Sequence, residues 1–148
     1  MTHQDNPEIG RTVDAAGLDT NYQDVGDGRV VVLLHGSGPG VTGWANWRLT
    51  IPALAERRRV LAPDITGFGY TDKTPDDRYD MQVWLRHLLG FLDALGIRSS
   101  VVLPFDLPVG ARNAERIIEA QQRVNEAFRE AKERGDNSHY GIFKMVRL

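Results

Sequence analysis

Residues 30–47 read VVVLLHGSGPGVTGWANW, and the fold turns on how this stretch changes character. Val30 to Leu34 is an unbroken aliphatic run, mostly β-branched, the pattern of a strand buried on both faces. At His35 it gives way to Gly36-Ser37-Gly38-Pro39-Gly40, too rich in glycine to continue any regular element. Residues 44–56 then carry an amphipathic pattern that predicts a helix, with a kink or break expected at Pro52. A buried strand, a glycine turn and a helix in that order bring backbone N–H groups to the carboxyl edge of a sheet. Open α/β folds bind their ligands at that edge.

Working outward, residues 9–15 and 18–25 predict two modest strands joined by a hairpin-type turn at Ala16-Gly17. Residues 60–62 form a short strand entering Pro63-Asp64, and the loop 64–78, DITGFGYTDKTPDDR, is long enough to suggest a functional connection. Val83, Trp84, His87, Leu88, Phe91, Leu92 and Leu95 recur at helical spacing over residues 81–95, with Gly96 placed to end the helix. Residues 100–103 are another buried strand. Beyond Pro104 the character shifts. A long amphipathic helix is expected over about 113–134, capped by Asn113, and a last strand over 140–146. Alternating strands and helices predict an α/β domain with a mostly parallel sheet of about six strands. Residues 1–103 make its first part, and 104–148 a divergent strand–helix–strand tail of the same domain.

Composition narrows the chemistry. The chain has 148 residues, 41% hydrophobic and 26% charged, which suits one ordered domain with a real core. A net charge of −2 supplies no basic excess for nucleic acid. The local cluster Arg57-Arg58-Arg59 reads as the solvated end of a helix. With no cysteine, disulfides, thiolate catalysis and Cys-ligated metals are excluded. No apolar run approaches the ~20 residues of a membrane span, and MTHQDNPEIG carries no signal-peptide pattern. The expectation is a cytoplasmic protein acting on a small molecule, with no metal or cofactor and no membrane or nucleic-acid partner.

Three segments carry a specific resemblance: LLHGSGPGVTGWANW at 33–47, APDITGFGYTD at 62–72 and FLDALGI at 91–97. Together they are similar, in order and spacing, to the amino-terminal part of the α/β-hydrolases. Within that superfamily they resemble the meta-cleavage-product hydrolases, which split carbon–carbon bonds in ring-opened aromatic catabolites such as 2-hydroxymuconic semialdehyde. The resemblance implies that Gly36, Ser37 and Gly38 supply part of an oxyanion hole, and that Asn46 helps to hold the substrate's dienol–carboxylate end. Preorganised donors about 3 Å from a developing oxyanion are each worth roughly 3–4 kcal/mol of barrier, so the loop is a substantial part of such a centre. Trp44 and Trp47 read as core and pocket wall, and His35 as a structural histidine behind the loop.

The same family requires Gly-x-Ser-x-Gly after the strand at 100–103, a strained turn that exposes the nucleophile. Here the chain reads Pro104-Phe105-Asp106-Leu107-Pro108, with proline at both glycine positions and no serine. Asp106 falls at the aligned position, and a carboxylate can serve as nucleophile, with His139 as an imaginable base. Against this, Pro108 lacks the N–H of a tight turn, and aspartate is a common turn residue. A cap and the strands bearing an acid and a histidine find no place in residues 104–148. The expected protein is therefore a truncated α/β-hydrolase that keeps the oxyanion-type loop without its nucleophile. An uncovered sheet flank would favour self-association into a homo-oligomer. The alternatives are a non-catalytic remnant or pairing domain, and phosphate binding at residues 36–40. The last is opposed by Pro39, by the absence of G-x-G-x-x-G spacing and by the lack of a following Walker lysine.

Overall fold

A computed structural model describes residues 6–104 and position 133. The expected helix at 113–134, the strand at 140–146, Asp106 and His139 lie outside the described residues, apart from Glu133, which is helical.

Five strands form a single sheet: β1 (Arg11–Ala15), β2 (Leu18–Val25), β3 (Val30–Leu34), β4 (Arg59–Pro63) and β5 (Val101–Pro104), in the spatial order β1-β2-β4-β3-β5. β1 and β2 make the expected hairpin. Ala16 and Gly17 both take positive φ, 53° and 86°, the backbone hand that matches strand twist in a two-residue turn. The Asp14 carboxylate accepts the Gly17 N–H at 2.7 Å and closes it.

The sheet is mixed, which corrects the expectation of a mostly parallel one. β2 runs antiparallel to both β1 and β4, while β3 is parallel to both β4 and β5. The cause is local. A tight two-residue turn can join only antiparallel strands, and β2 carries that direction on to the flank of β4.

Helices cover both faces. Val31, Leu33, Val60, Ala62, Val101 and Leu103 point to one side, where Trp47, Ile51 and Leu54 pack against them. Val32, Leu61 and Val102 point to the other, against Leu88, Phe91 and Leu92. This is the period of two that an unbroken aliphatic strand conceals until both faces are occupied. Phe91 is fully buried and meets Tyr22 edge to face, with ring centroids 5.2 Å apart.

The helix expected over 44–56 is divided into α1 (Gly43–Trp47) and α2 (Ile51–Ala55). The break comes just before Pro52, which sits in the first turn of α2, where its missing N–H costs nothing. Thr42 caps α1 by accepting the Ala45 N–H at 2.9 Å. α3 (Met81–Ala94) follows the expected helix closely. Asp80 caps its start through the Val83 N–H. At its end Gly96 adopts φ 67°, and the Gly96 and Ile97 amides return to Asp93 and Leu92 carbonyls in a Schellman arrangement.

One surface expectation is also corrected. Arg59 is not part of a solvated helix end: it opens β4 and donates Nε and a terminal N–H to the Asp24 carboxylate, at 3.0 and 2.8 Å.

β3 therefore lies between two parallel neighbours, reached in opposite directions: the chain crosses to β4 on one side and returns to β5 on the other. Such a reversal opens a crevice beyond the strands' carboxyl ends, and the glycine turn leaves β3 at that point.

Candidate functional site

His35 ends β3 and is buried, with both ring nitrogens engaged. Nε2 accepts the Ile65 N–H at 2.8 Å. An amide can only donate, so Nε2 is unprotonated and the proton lies on Nδ1, which donates to the Gly36 carbonyl at 2.6 Å. Burial lowers the His35 pKa, opposed by the Gly36 carbonyl and the nearby Asp64 charge. The neutral ring, packed edge-on to Phe68, is a brace under the loop, in agreement with its reading as structural.

The other side of the same peptide is held from α1. Asn46 Oδ1 accepts the Gly36 N–H at 2.8 Å. Both backbone polar groups of Gly36 are thus taken by side chains. Ser37 and Gly38 behave differently: they are exposed, and their amides find no acceptor among the described residues. Among the five positions expected to act, Gly36 and Asn46 are brought into contact, and Ser37 and Gly38 follow them in the turn, exposed beyond the carboxyl end of β3. Asp106 lies outside the described residues. Trp47 is core, as expected, and Trp44 is half-buried beneath Arg48.

The loop 64–78 is anchored by a residue that sequence reasoning did not single out. Asp64, 1% exposed, accepts the Gly43 amide on Oδ1 at 2.7 Å and the Asn21 side chain and Tyr70 amide on Oδ2, both at 2.9 Å. One carboxylate so joins α1, β2 and the loop. Gly69 allows the approach: its φ is 53°, and a Cβ there would fall 2.2 Å from Asp64 Oδ2. The available signal was a carboxylate on the end of a buried strand, since a charge in that place must be compensated.

His87 is a second omission, read from its spacing as one more member of an apolar stripe. It is buried in α3 and bridges two other elements. Thr20 gives its one hydroxyl proton to the Leu18 carbonyl, so His87 Nε2 donates to Thr20 Oγ1 at 2.8 Å. Nδ1 then accepts the Thr66 N–H at 3.3 Å. His35 and His87 are held in opposite neutral tautomers. Neither is poised as a base toward the glycine turn. Among the described residues no group of histidines and carboxylates is arranged to hold a metal, and no helix is long and apolar enough to cross a membrane.

Residues 29–107 match the family model described as alpha/beta hydrolase fold. The chain belongs to this family. Within the hydrolases, it is 54% identical over 97 residues to 2-hydroxymuconate semialdehyde hydrolase of Pseudomonas sp. strain CF600, covering 66% of this chain and 34% of that one. It is 57% identical over 90 residues to 2-hydroxy-6-oxo-2,4-heptadienoate hydrolase of Pseudomonas putida F1, covering 61% of this chain and 33% of that one. Among solved hydrolases, the meta-cleavage product hydrolase CumD of Pseudomonas fluorescens IP01, as a mutant complexed with acetates, superposes with TM-score 0.64. The identity is 52%, over 66% of this chain and 36% of that one. The chain spans about a third of the length of the curated hydrolases it matches. The matched part holds β3, the glycine turn and the Asp64 anchor.

Proposed function

We propose that this chain carries the anion-binding half of a carbon–carbon hydrolase centre. It binds the carboxylate-bearing, ring-opened products of aromatic meta-cleavage at Ser37 and Gly38, and does not hydrolyse them by itself. One observation carries the reading. Leu34 of β3 lies in register with Pro104 of β5, so the strand that leads into the glycine turn and the strand that precedes residues 105–108 end side by side. The turn supplies unpaired amides. The other segment reads Pro104-Phe105-Asp106-Leu107-Pro108, without the serine that the alpha/beta hydrolase pattern places there. Donors for a developing negative charge lower a barrier only where an attacking group creates that charge. The similarity to 2-hydroxymuconate semialdehyde hydrolase supports the choice of ligand class.

The test is direct. The full chain is incubated with a yellow ring-fission product of catechol, and loss of colour is followed beside an Asp106→Ala control. The expected result is saturable binding, seen as a shift of the absorbance band, with no turnover above the control. Turnover that the control lacks would overturn the reading and make Asp106 a nucleophile.

A second reading, a non-catalytic domain that pairs with another copy, is favoured by β5. Among the described residues it hydrogen-bonds to β3 alone. Light scattering on the eluted protein separates a dimer from a monomer.

A further inference from the structure

The contacts around Gly36 decide which amides of the turn can meet an anion. Its N–H points to Asn46 Oδ1 and its carbonyl to His35 Nδ1, at 2.8 and 2.6 Å. A peptide gripped at both ends cannot rotate to present its N–H to the crevice without breaking a hydrogen bond. Pro39 has no N–H to offer, and the Gly38 carbonyl is occupied by the Val41 amide at 3.3 Å, which fixes the far side of the turn. Ser37 and Gly38 are left between two fixed points.

We infer that Asn46 is a positioning residue: its side-chain oxygen withdraws the Gly36 amide from the anion-binding set and so aims the Ser37 and Gly38 amides at the ligand. Asn46 suits the task. From within the short helix α1 it reaches back ten residues to the strand end, and α1 is itself held by Thr42 and Asp64. A carboxamide oxygen accepts without adding negative charge where an anion is to bind. The inference rests on the proposed function for the ligand, but the brace itself is a property of the free chain.

The experiment uses the 15N-labelled full chain, with acetate as the probe. Without acetate, the Gly36 amide exchanges with solvent far more slowly than those of Ser37 and Gly38. Asn46→Ala speeds Gly36 exchange about tenfold, the weight of one hydrogen bond. Asn46→Asp, which keeps an oxygen acceptor, restores the protection. On titration, acetate shifts the Ser37 and Gly38 resonances of the unsubstituted chain and leaves Gly36 in place. In Asn46→Ala the Gly36 resonance joins them. A general loss of folding would speed exchange throughout β3 and is excluded by unchanged protection at Val32. Gly36 exchange as fast as that of Ser37 in the unsubstituted chain would overturn the inference, as would Asn46→Ala leaving Gly36 protected. Acetate that moves no amide in 36–40 while Gly36 behaves as stated sinks the proposed function and leaves the brace standing.

Discussion

Asn21 Nδ2 donates to Asp64 Oδ2 at 2.9 Å, joining the middle of the antiparallel strand β2 to the loop that follows the parallel strand β4. The same asparagine also donates to the Glu8 carbonyl and accepts the Gly10 N–H through Oδ1. The amino-terminal segment is thereby tied, through Asn21 and one carboxylate, to the end of the central strand β4. Asp64→Ala removes the acceptor of two buried donors, the Gly43 amide and the Asn21 side chain, and of the part-buried Tyr70 amide. An orphaned buried donor costs about 1–3 kcal/mol, so the expected loss is at least ~2 kcal/mol. Urea unfolding should show a lower midpoint at unchanged slope. A loss below about 1 kcal/mol would mean that water replaces the carboxylate and that the anchor is dispensable.

His87 makes stability depend on pH. Burial lowers its pKa from 6.5 to about 4, because the charged ring would lose water and gain only Thr20 and Thr66 as partners. Since the folded value lies below the unfolded one, the unfolded chain binds the extra proton first. The contribution of neutral His87 is complete above pH 6.5 and declines as pH falls to about 4, below which it is lost. Across that window the loss is about 3 kcal/mol, from ~1.4 kcal/mol per pH unit. His87→Gln, which keeps a donor and an acceptor, should flatten the dependence. The measurement is the denaturation midpoint at several pH values, with NMR titration of the ring. A ring titrating near 6.5 would remove the effect.

The fold was legible where the sequence used strong, one-sided signals. Val30 to Leu34 could only be a strand covered on both faces, and Gly96 after a regular apolar stripe could only end a helix. The hairpin was legible from Ala16-Gly17. What it does to the sheet was not, because pairing direction beyond the hairpin depends on which strand β2 meets next. The glycine turn announced an amide-rich site, yet not which amides are free. That depends on Asn46, ten residues away, returning to Gly36, and residue type gives no sign of such a contact. Asp64 and His87 were hidden for the opposite reason. Their chemistry is spent inside the protein, and a buried, fully bonded polar residue has the same letter as a solvated one.

Gly90 shows how tightly α3 is pressed on the hairpin. A Cβ at this position would lie 2.7 Å from Ala16 Cβ and 2.8 Å from Ala16 N. In an exposed helix, Gly→Ala stabilises by about 1 kcal/mol through propensity. Here the added methyl must push α3 away from β1 or distort a turn already at positive φ, and overpacking of this kind costs ~1–3 kcal/mol. Gly90→Ala is therefore expected to destabilise by about 1 kcal/mol net, read as a lower thermal midpoint by circular dichroism. A rise in the midpoint would show that the hairpin turn yields without cost.

Arg59 and Asp24 form the ion pair that fastens β4 to β2. The two parallel hydrogen bonds, at 3.0 and 2.8 Å, match the fork of a guanidinium, and Arg11 adds a looser contact at 3.8 Å. The Arg59 hydrogen bonds outweigh desolvation and hold the Asp24 pKa below its usual 3.8. A carboxylate with a depressed folded pKa contributes stability that is complete above 3.8 and is lost as pH falls through the lower folded value. Arg59→Lys keeps the charge but loses the fork, and should cost about 1 kcal/mol, as for a partly exposed pair. Arg59→Ala leaves Asp24 with Arg11 alone, so its carboxyl should titrate higher, measurable from the Asp24 side-chain 13C shift. An Asp24 titration unmoved by Arg59→Ala would assign its depressed value to Arg11 instead, and β4 would then owe its attachment to backbone pairing and the apolar faces.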